Sequence, residues 1–317
     1  MLEKTLVFAL TSNIEMAEEV VQNLGLELGK CEVKHFADGE IIVDILQSVR
    51  GKNVYVIQST CPPVTERLME LLVFVDALKR ASAKEINVVI GYYGYSRQDR
   101  KAKAREPITA RLVADLLETA GISRLVTFDL HAPQIQGFFN CPVDDLSAIP
   151  LFARYLKGKL AGKSIVVVSP DHGGATRARK LATFLDASIA IIDKRRPQPN
   201  VSEVMNIIGD VKGKTAVMVD DIIDTAGTIA AGAKAIIDSG AESVYAVCSH
   251  GIFSGPAHER LENSPFVESI TTNTIPLPAH MRNGKVKVLS VAPMIAKAIE
   301  HIELGLALSI VYDLYNL

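Results

Sequence analysis

Thr215-Ala-Val-Met-Val-Asp220-Asp221-Ile-Ile-Asp224-Thr225-Ala226-Gly227-Thr228 runs from an unbroken apolar segment into adjacent carboxylates, then into a loop of small residues. Apolar residues without alternation are the pattern of a parallel strand covered on both faces. The stretch that follows, Thr228–Asp238, reads as a helix. Strand, tight loop and helix make half of a βαβ unit, and the rhythm recurs along the chain. Strands are predicted at Thr5–Ala9, Val54–Gln58, Ile86–Ile90, Leu125–Asp129, Ile165–Ser169, Ser188–Ile192, Thr215–Asp220, Ser243–Cys248 and Val286–Leu289. Helices are predicted at Ile14–Leu24, Val64–Ala81, Thr109–Ala120, Ala175–Phe184, Thr228–Asp238 and Pro293–Glu303. In the second helix Leu68, Leu71, Leu72, Val75 and Leu78 form one apolar face. The rhythm predicts an α/β protein with mostly parallel sheets flanked by helices.

The chain has 317 residues, enough for about two domains. The expected boundary falls around 144–163, giving domains at 1–150 and 151–304, with a tail of about 305–317 packing back on the first. The 34 basic and 36 acidic side chains give a net charge of −2, which removes the simplest argument for nucleic-acid binding. No apolar run approaches the roughly 20 residues that a membrane-spanning helix needs, and the first residues do not read as a secretory signal. Cys31, Cys61, Cys141 and Cys248 are scattered without CxxC spacing, which points to buried thiols in a reducing cytoplasm rather than a disulfide or zinc framework.

Open α/β sheets bind ligands beyond the C-terminal ends of their strands. In the opening stretch, Thr225, Gly227 and Thr228 can offer backbone N–H groups and hydroxyls to a phosphate at a helix N-terminus. Asp220 and Asp221 can accept from vicinal sugar hydroxyls, or hold magnesium through water. A phosphate cradle beside hydroxyl acceptors describes a sugar-phosphate site. A second segment, Tyr92-Tyr-Gly94-Tyr-Ser-Arg97-Gln98-Asp99-Arg100-Lys101, leads to Arg105. Its crowded cations predict a mobile loop that orders on a polyanion such as a nucleoside triphosphate; read alone it is also a solvated basic loop. Asp129-Leu-His131 puts a ligand or acid/base imidazole, or a packed histidine, at a strand end. Ser169-Pro-Asp171-His-Gly-Gly174 reads as a cation-holding diphosphate turn or a plain tight turn.

The opening stretch resembles the phosphoribosyl-diphosphate motif of type I phosphoribosyltransferases. Taken with Phe36-Ala-Asp38-Gly39-Glu40, Asp76-Ala-Leu-Lys-Arg80-Ala-Ser82-Ala, Asp193-Lys194-Arg195-Arg196-Pro197 and Ser254-Gly255-Pro256-Ala257, the chain closely resembles the class I ribose-phosphate pyrophosphokinase family along essentially its whole length. The resemblance implies two similar phosphoribosyltransferase-like domains. It implies transfer of the diphosphoryl group of ATP to the anomeric hydroxyl of ribose 5-phosphate, giving phosphoribosyl diphosphate and AMP. It implies ATP binding by Phe36, Asp38, Gly39, Glu40, Arg97 and Gln98, where Phe36 stacks on adenine or else sits in the core. One or two Mg2+ ions are implied at His131 and Asp171, with His131 either a direct ligand or an orienter of bound water. Ribose 5-phosphate is implied at Arg196, Asp220, Asp221, Asp224, Thr225, Ala226, Gly227 and Thr228. Lys194 and Arg196 are the implied catalytic pair, placed on one face of an extended strand by alternation.

The resemblance further implies a cytoplasmic homohexamer, activated by phosphate and inhibited by ADP. Ser48, Arg50, Ser82 and Arg105 match regulatory positions, with a contribution from Ser309–Leu314. Two rival readings compete with this one. A type I phosphoribosyltransferase leaves the Arg97–Arg105 loop and Phe36–Glu40 without a task. A non-catalytic regulatory relative predicts interrupted functional segments, and these are intact.

Overall fold

The computed structural model describes residues 2–195 and 204–315 and divides into two compact units. The first comprises Met1–Ser147, Thr274–Pro276 and Ser290–Leu314, so the C-terminal segment belongs with the N-terminal half. Its elements are β1 (Thr5–Ala9), α1 (Ile14–Leu24), β2 (Cys31–His35), β3 (Ile41–Ile45), β4 (Asn53–Ile57), α2 (Val64–Arg80), β5 (Glu85–Ile90), α3 (Thr109–Ala120), β6 (Arg124–Phe128) and β7 (Val143–Leu146). A five-stranded sheet has the order β1-β4-β5-β6-β7, with every pairing parallel. Val54, Val56, Val88 and Ile90 bury one of its faces against Leu71, Phe74 and Leu78 of α2 and Val113 and Leu117 of α3. β2 and β3 form a separate antiparallel hairpin.

The second unit comprises Ala148–Asn273, Leu277–Leu289 and Tyr315–Leu317. Its elements are α4 (Ile149–Lys159), β8 (Ile165–Ser169), α5 (Ala175–Leu185), β9 (Ser188–Arg195), β10 (Val204–Ile208), β11 (Thr215–Ile223), α6 (Gly227–Asp238), β12 (Ser243–Gly251), α7 (Ala257–Glu262), β13 (Phe266–Thr272) and β14 (Val286–Leu289). A last helix, α8 (Ala292–Leu304), belongs to the first unit. The seven-stranded sheet has the order β10-β9-β8-β11-β12-β13-β14, and β10 alone runs antiparallel. The two-residue period of the strands sorts its core onto two faces. Val166, Val168, Ala216 and Met218 pack with Ile229, Ala233 and Ile236 of α6. Val167, Val217 and Val219 pack with Phe152 and Leu156 of α4 and Ala178 and Leu181 of α5. Being covered on both sides is why these strands read as continuous apolar runs.

The α/β class is as expected, and every predicted helix and strand is present. Three strands run past their predicted ends: β9 to Arg195, β11 to Ile223 and β12 to Gly251. β11 and β12 extend together, with Asp220 opposite Cys248 and Ile223 opposite Gly251. Asp221 therefore lies within the strand, as Asp220 does, rather than just beyond its end. The four thiols are free; Cys61 and Cys248 are buried, whereas Cys31 and Cys141 are half-buried.

Candidate functional site

In the second unit, alternation along β11 continues the Val217 and Val219 face at Asp221, toward α5. Arg177 of α5 meets it there. Its Nη1 lies 3.2 Å from Asp221 Oδ1 and donates to Asp220 Oδ1 at 3.3 Å. Asp221 N also donates to Asp220 Oδ1, at 2.9 Å. The Asp221 side chain is 5% exposed and that of Asp220 29%, so Asp220 is the acceptor a ligand can reach. Burial and the adjoining Asp221 carboxylate push the Asp220 carboxyl well above the usual carboxylate range, against the pull of Arg177. Arg177 was not singled out from the sequence. The signal was available in principle, because two carboxylates at the end of a buried strand require a cation nearby.

Beyond β11, Ala226 adopts a left-handed conformation (φ 58°) as the cap before Gly227 opens α6. Asp224, Thr225, Ala226, Gly227 and Thr228 thus form a bend at a helix N-terminus, where backbone N–H groups lack helical partners and favour an anion. The structure brings this bend and the acidic pair together on one strand–helix connection.

The Ser169–Gly174 turn is internally bonded. Ser169 Oγ donates to Asp171 O at 2.6 Å, and Gly174 N donates to Asp171 Oδ1 at 2.9 Å. A Cβ on Gly174 would come within 2.8 Å of Ser169 Oγ, so the turn closes only around glycine. One Asp171 oxygen already fastens the start of α5. His172 Nε2 stands 3.3 Å from Asp193 Oδ1, tying the turn to the end of β9 beside Lys194. Lys194 lies in β9, but its side chain is outside the described residues, as is the whole of Arg196.

In the first unit, Phe36–Glu40 is the tip of the β2–β3 hairpin. Phe36 N donates to Glu40 O at 2.8 Å, Gly39 N to Phe36 O at 2.9 Å, and Glu40 N to Asp38 Oδ1 at 3.1 Å. Gly39 takes φ 95°, a conformation its lack of a Cβ permits. Phe36 is 53% exposed, which rejects a core role and leaves its ring presented for stacking.

The basic segment after β5 is a run of turns anchored at several points. Gly94 N donates to Thr60 Oγ1 at 2.6 Å, and Thr109 Oγ1 to Gln98 Oε1 at 2.6 Å. Gln134 Nε2 donates to Asp99 Oδ2 at 2.7 Å, joining the turns that carry Gln98 and His131. Arg97 precedes Gln98 in the same run, and His131 is exposed. Farther along, Glu106 Oε2 accepts from Ala102 N at 2.9 Å and Lys103 N at 2.8 Å, while Arg105 takes φ 70°. Among the regulatory candidates, Arg50 Nη1 donates to Ser82 Oγ at 3.1 Å, and Gly51 N to Ser82 O at 2.9 Å. Ser48 lies two residues before Arg50.

Among the described residues, no three His, Cys, Asp or Glu side chains come together as a metal cage, and no helix is long and apolar enough to cross a membrane. Magnesium commonly keeps several waters and binds through one or two carboxylates plus substrate phosphates. Asp171, exposed and with one oxygen bonded to Gly174 N, fits that demand.

Residues 5–121 match the family described as the N-terminal domain of ribose phosphate pyrophosphokinase, and residues 195–313 match the phosphoribosyl synthetase-associated domain. The chain is 59% identical over 307 residues to a ribose-phosphate pyrophosphokinase of Bacillus caldolyticus, covering 97% of each chain. It is 58% identical to the Bacillus subtilis protein of that name, over 92% of each chain. The crystal structure of phosphoribosylpyrophosphate synthetase from Mycobacterium smegmatis superposes with a TM-score of 0.91 at 41% identity, covering 96% of this chain and 100% of that one.

Proposed function

The chain belongs to the ribose-phosphate pyrophosphokinase family and makes phosphoribosyl diphosphate from ribose 5-phosphate, and we propose that it does so with the residues and geometry that follow. The sugar phosphate occupies the bend Asp224–Thr228, held by its amides and by the Thr225 and Thr228 hydroxyls. Asp220 accepts from the vicinal hydroxyls, while Arg177 and Asp221 hold it in place. The anomeric oxygen attacks the β-phosphorus of ATP. A new oxygen–phosphorus bond forms, the bond from the β-phosphorus to the α–β bridging oxygen breaks, AMP departs with that oxygen, and the hydroxyl proton passes to water.

ATP is held by Phe36, Asp38, Gly39, Glu40, Arg97 and Gln98, with Phe36 stacked on the base. Lys194 and Arg196 stabilise negative charge on the transferring oxygens as it develops. Asp171 and His131, the latter as ligand or water-orienter, are the residues that would hold magnesium, which would supply charge neutralisation to the polyphosphate. In-line attack on a crowded polyanion needs such alignment and neutralisation more than a strong base. We place the protein in the cytoplasm, as a homohexamer with phosphate and ADP acting around Ser48, Arg50, Ser82 and Arg105. Exposed Leu112 and Leu116 of α3, with Ile108 at its N-cap, are spaced by four and in keeping with burial between subunits.

One observation carries the assignment: a cation-clamped acidic pair and a helix-opening anion bend occupy the same strand–helix connection. The test is AMP release from ATP by the purified protein with magnesium. AMP forms with ribose 5-phosphate and fails to form with ribose. AMP released without the sugar phosphate, or the sugar phosphate bound in a crystal with the bend empty, overturns the assignment.

A further inference from the structure

The bend after β11 is held from one side by a single stretch of chain. Ile223 O accepts from Ile252 N at 2.9 Å and from Phe253 N at 3.2 Å; Asp224 O accepts from Ser254 N at 3.0 Å. Thr225 O accepts from Arg260 Nη1 at 3.0 Å. Ala226 O then accepts from Ala230 N within α6, so three consecutive carbonyls are fastened by Ile252–Arg260 before the helix takes over. That stretch contains Ser254-Gly255-Pro256-Ala257, a segment that the proposed reaction leaves without a role.

In a trans peptide the N–H opposes the C=O. Fastening these carbonyls on one side turns the amides of Asp224, Thr225 and Ala226 toward the other. A carbonyl that accepts a hydrogen bond polarises its own peptide and makes the opposite N–H a stronger donor. The effect is largest at the Thr225–Ala226 peptide, because the donor there is a charged guanidinium. The same bond braces Ala226, whose left-handed backbone is disfavoured for any residue with a Cβ. A Cβ on Gly227 would lie 3.1 Å from Arg260 Nη1, so the glycine at the start of α6 leaves room for the guanidinium. Arg260 also lines an open cavity of about 650 Å³ with Lys234, Glu259 and Asn263, so it is not a core residue.

We propose that Arg260 is a positioning residue for ribose 5-phosphate: from α7 it fixes and polarises the Thr225–Ala226 peptide, so that the amides of the bend face the sugar's phosphate before it arrives. The inference rests on Asp224–Thr228 being the phosphate site. Arg260→Met keeps the aliphatic stem and removes both charge and donor. Expected is a rise of about tenfold or more in KM for ribose 5-phosphate, with KM for ATP and the unfolding midpoint essentially unchanged. Arg260→Lys, which retains charge and a donor, recovers most of that loss. Unchanged KM for the sugar phosphate refutes the proposal. So does a rise in both KM values with a fall in midpoint, which marks a merely structural role. Thr228→Ala is the control for the underlying site: if it leaves KM for ribose 5-phosphate unaltered, the site reading fails. If it raises that KM while Arg260→Met does not, only the role of Arg260 fails.

Discussion

Arg177 lies against both carboxylates at the end of β11 and offsets part, not all, of the cost of placing two such groups there. Removing the guanidinium leaves the Asp221 carboxylate, 5% exposed, buried without that counter-ion. Arg177→Met is expected to destabilise the protein by about 3 kcal/mol, read from denaturant midpoints. An unchanged midpoint would mean that the acidic pair is solvated. The pair also sets a pH dependence. The Asp220 carboxyl lies above its unfolded value, so the native state keeps a proton that the unfolded chain has lost. That stabilisation is complete at the acid end and is lost as pH rises from the ordinary carboxylate range through the raised value. Asp220→Asn is expected to flatten this decline in unfolding free energy, and a slope equal to that of the parent would place its origin elsewhere. In the proposed reaction Lys194 acts on charge that exists only as diphosphoryl transfer proceeds. Lys194→Ala is therefore expected to lower kcat by about a hundredfold or more with little change in either KM. A large KM effect at constant kcat would make it a binding residue.

In the proposed reaction the β2–β3 hairpin carries function without carrying stability. Its tip is solvated, and truncating Phe36 removes no buried contact. Phe36→Ala is expected to leave stability within about 0.5 kcal/mol of the parent while raising KM for ATP severalfold, since a stacked aromatic contributes about 1 kcal/mol. Loss of stability with unaltered KM would return Phe36 to a packing role. The hairpin strands were not legible in the sequence because they are half-exposed and charged, with Glu32, Lys34 and His35 in one strand, so neither an apolar run nor a clean alternation survives. Phe36–Glu40 was legible only through resemblance. α4 falls inside 144–163, the stretch expected to be the domain boundary; its Pro150 sits in the first turn, where the absent N–H costs nothing. The doubly covered strands were legible because nothing polar interrupts them. The bend 224–228 was legible because its residue types are those an anion site needs. Arg177 and Arg260 were not, since each acts by reaching back from a helix distant in sequence, and only the fold reveals what a guanidinium meets.

Each unit has its own hydrophobic core, one around α2 and α3 and one on the two faces of the seven-stranded sheet. The proposed ribose 5-phosphate bend belongs to the second unit, and the proposed nucleotide segments of the hairpin and the Arg97–Gln98 turn to the first. This division separates what magnesium does from what the sugar phosphate needs. As proposed, the bend would bind phosphate through neutral amides, hydroxyls and a helix N-terminus, none of which requires a metal. The polyphosphate, by contrast, carries charge that in the proposed reaction the cationic side chains would share with magnesium. Saturating ribose 5-phosphate is therefore expected to stabilise the protein with EDTA present, by about 2.7 kcal/mol at a hundred times its Kd. AMP formation under the same conditions is expected to stop and to return when magnesium is added back. Thermal unfolding with and without EDTA, paired with an AMP assay on the same samples, separates the two effects. If EDTA abolishes the stabilisation by ribose 5-phosphate, the metal helps to hold the sugar phosphate and the bend does not suffice. If AMP continues to form without magnesium, the cationic side chains neutralise the polyphosphate unaided.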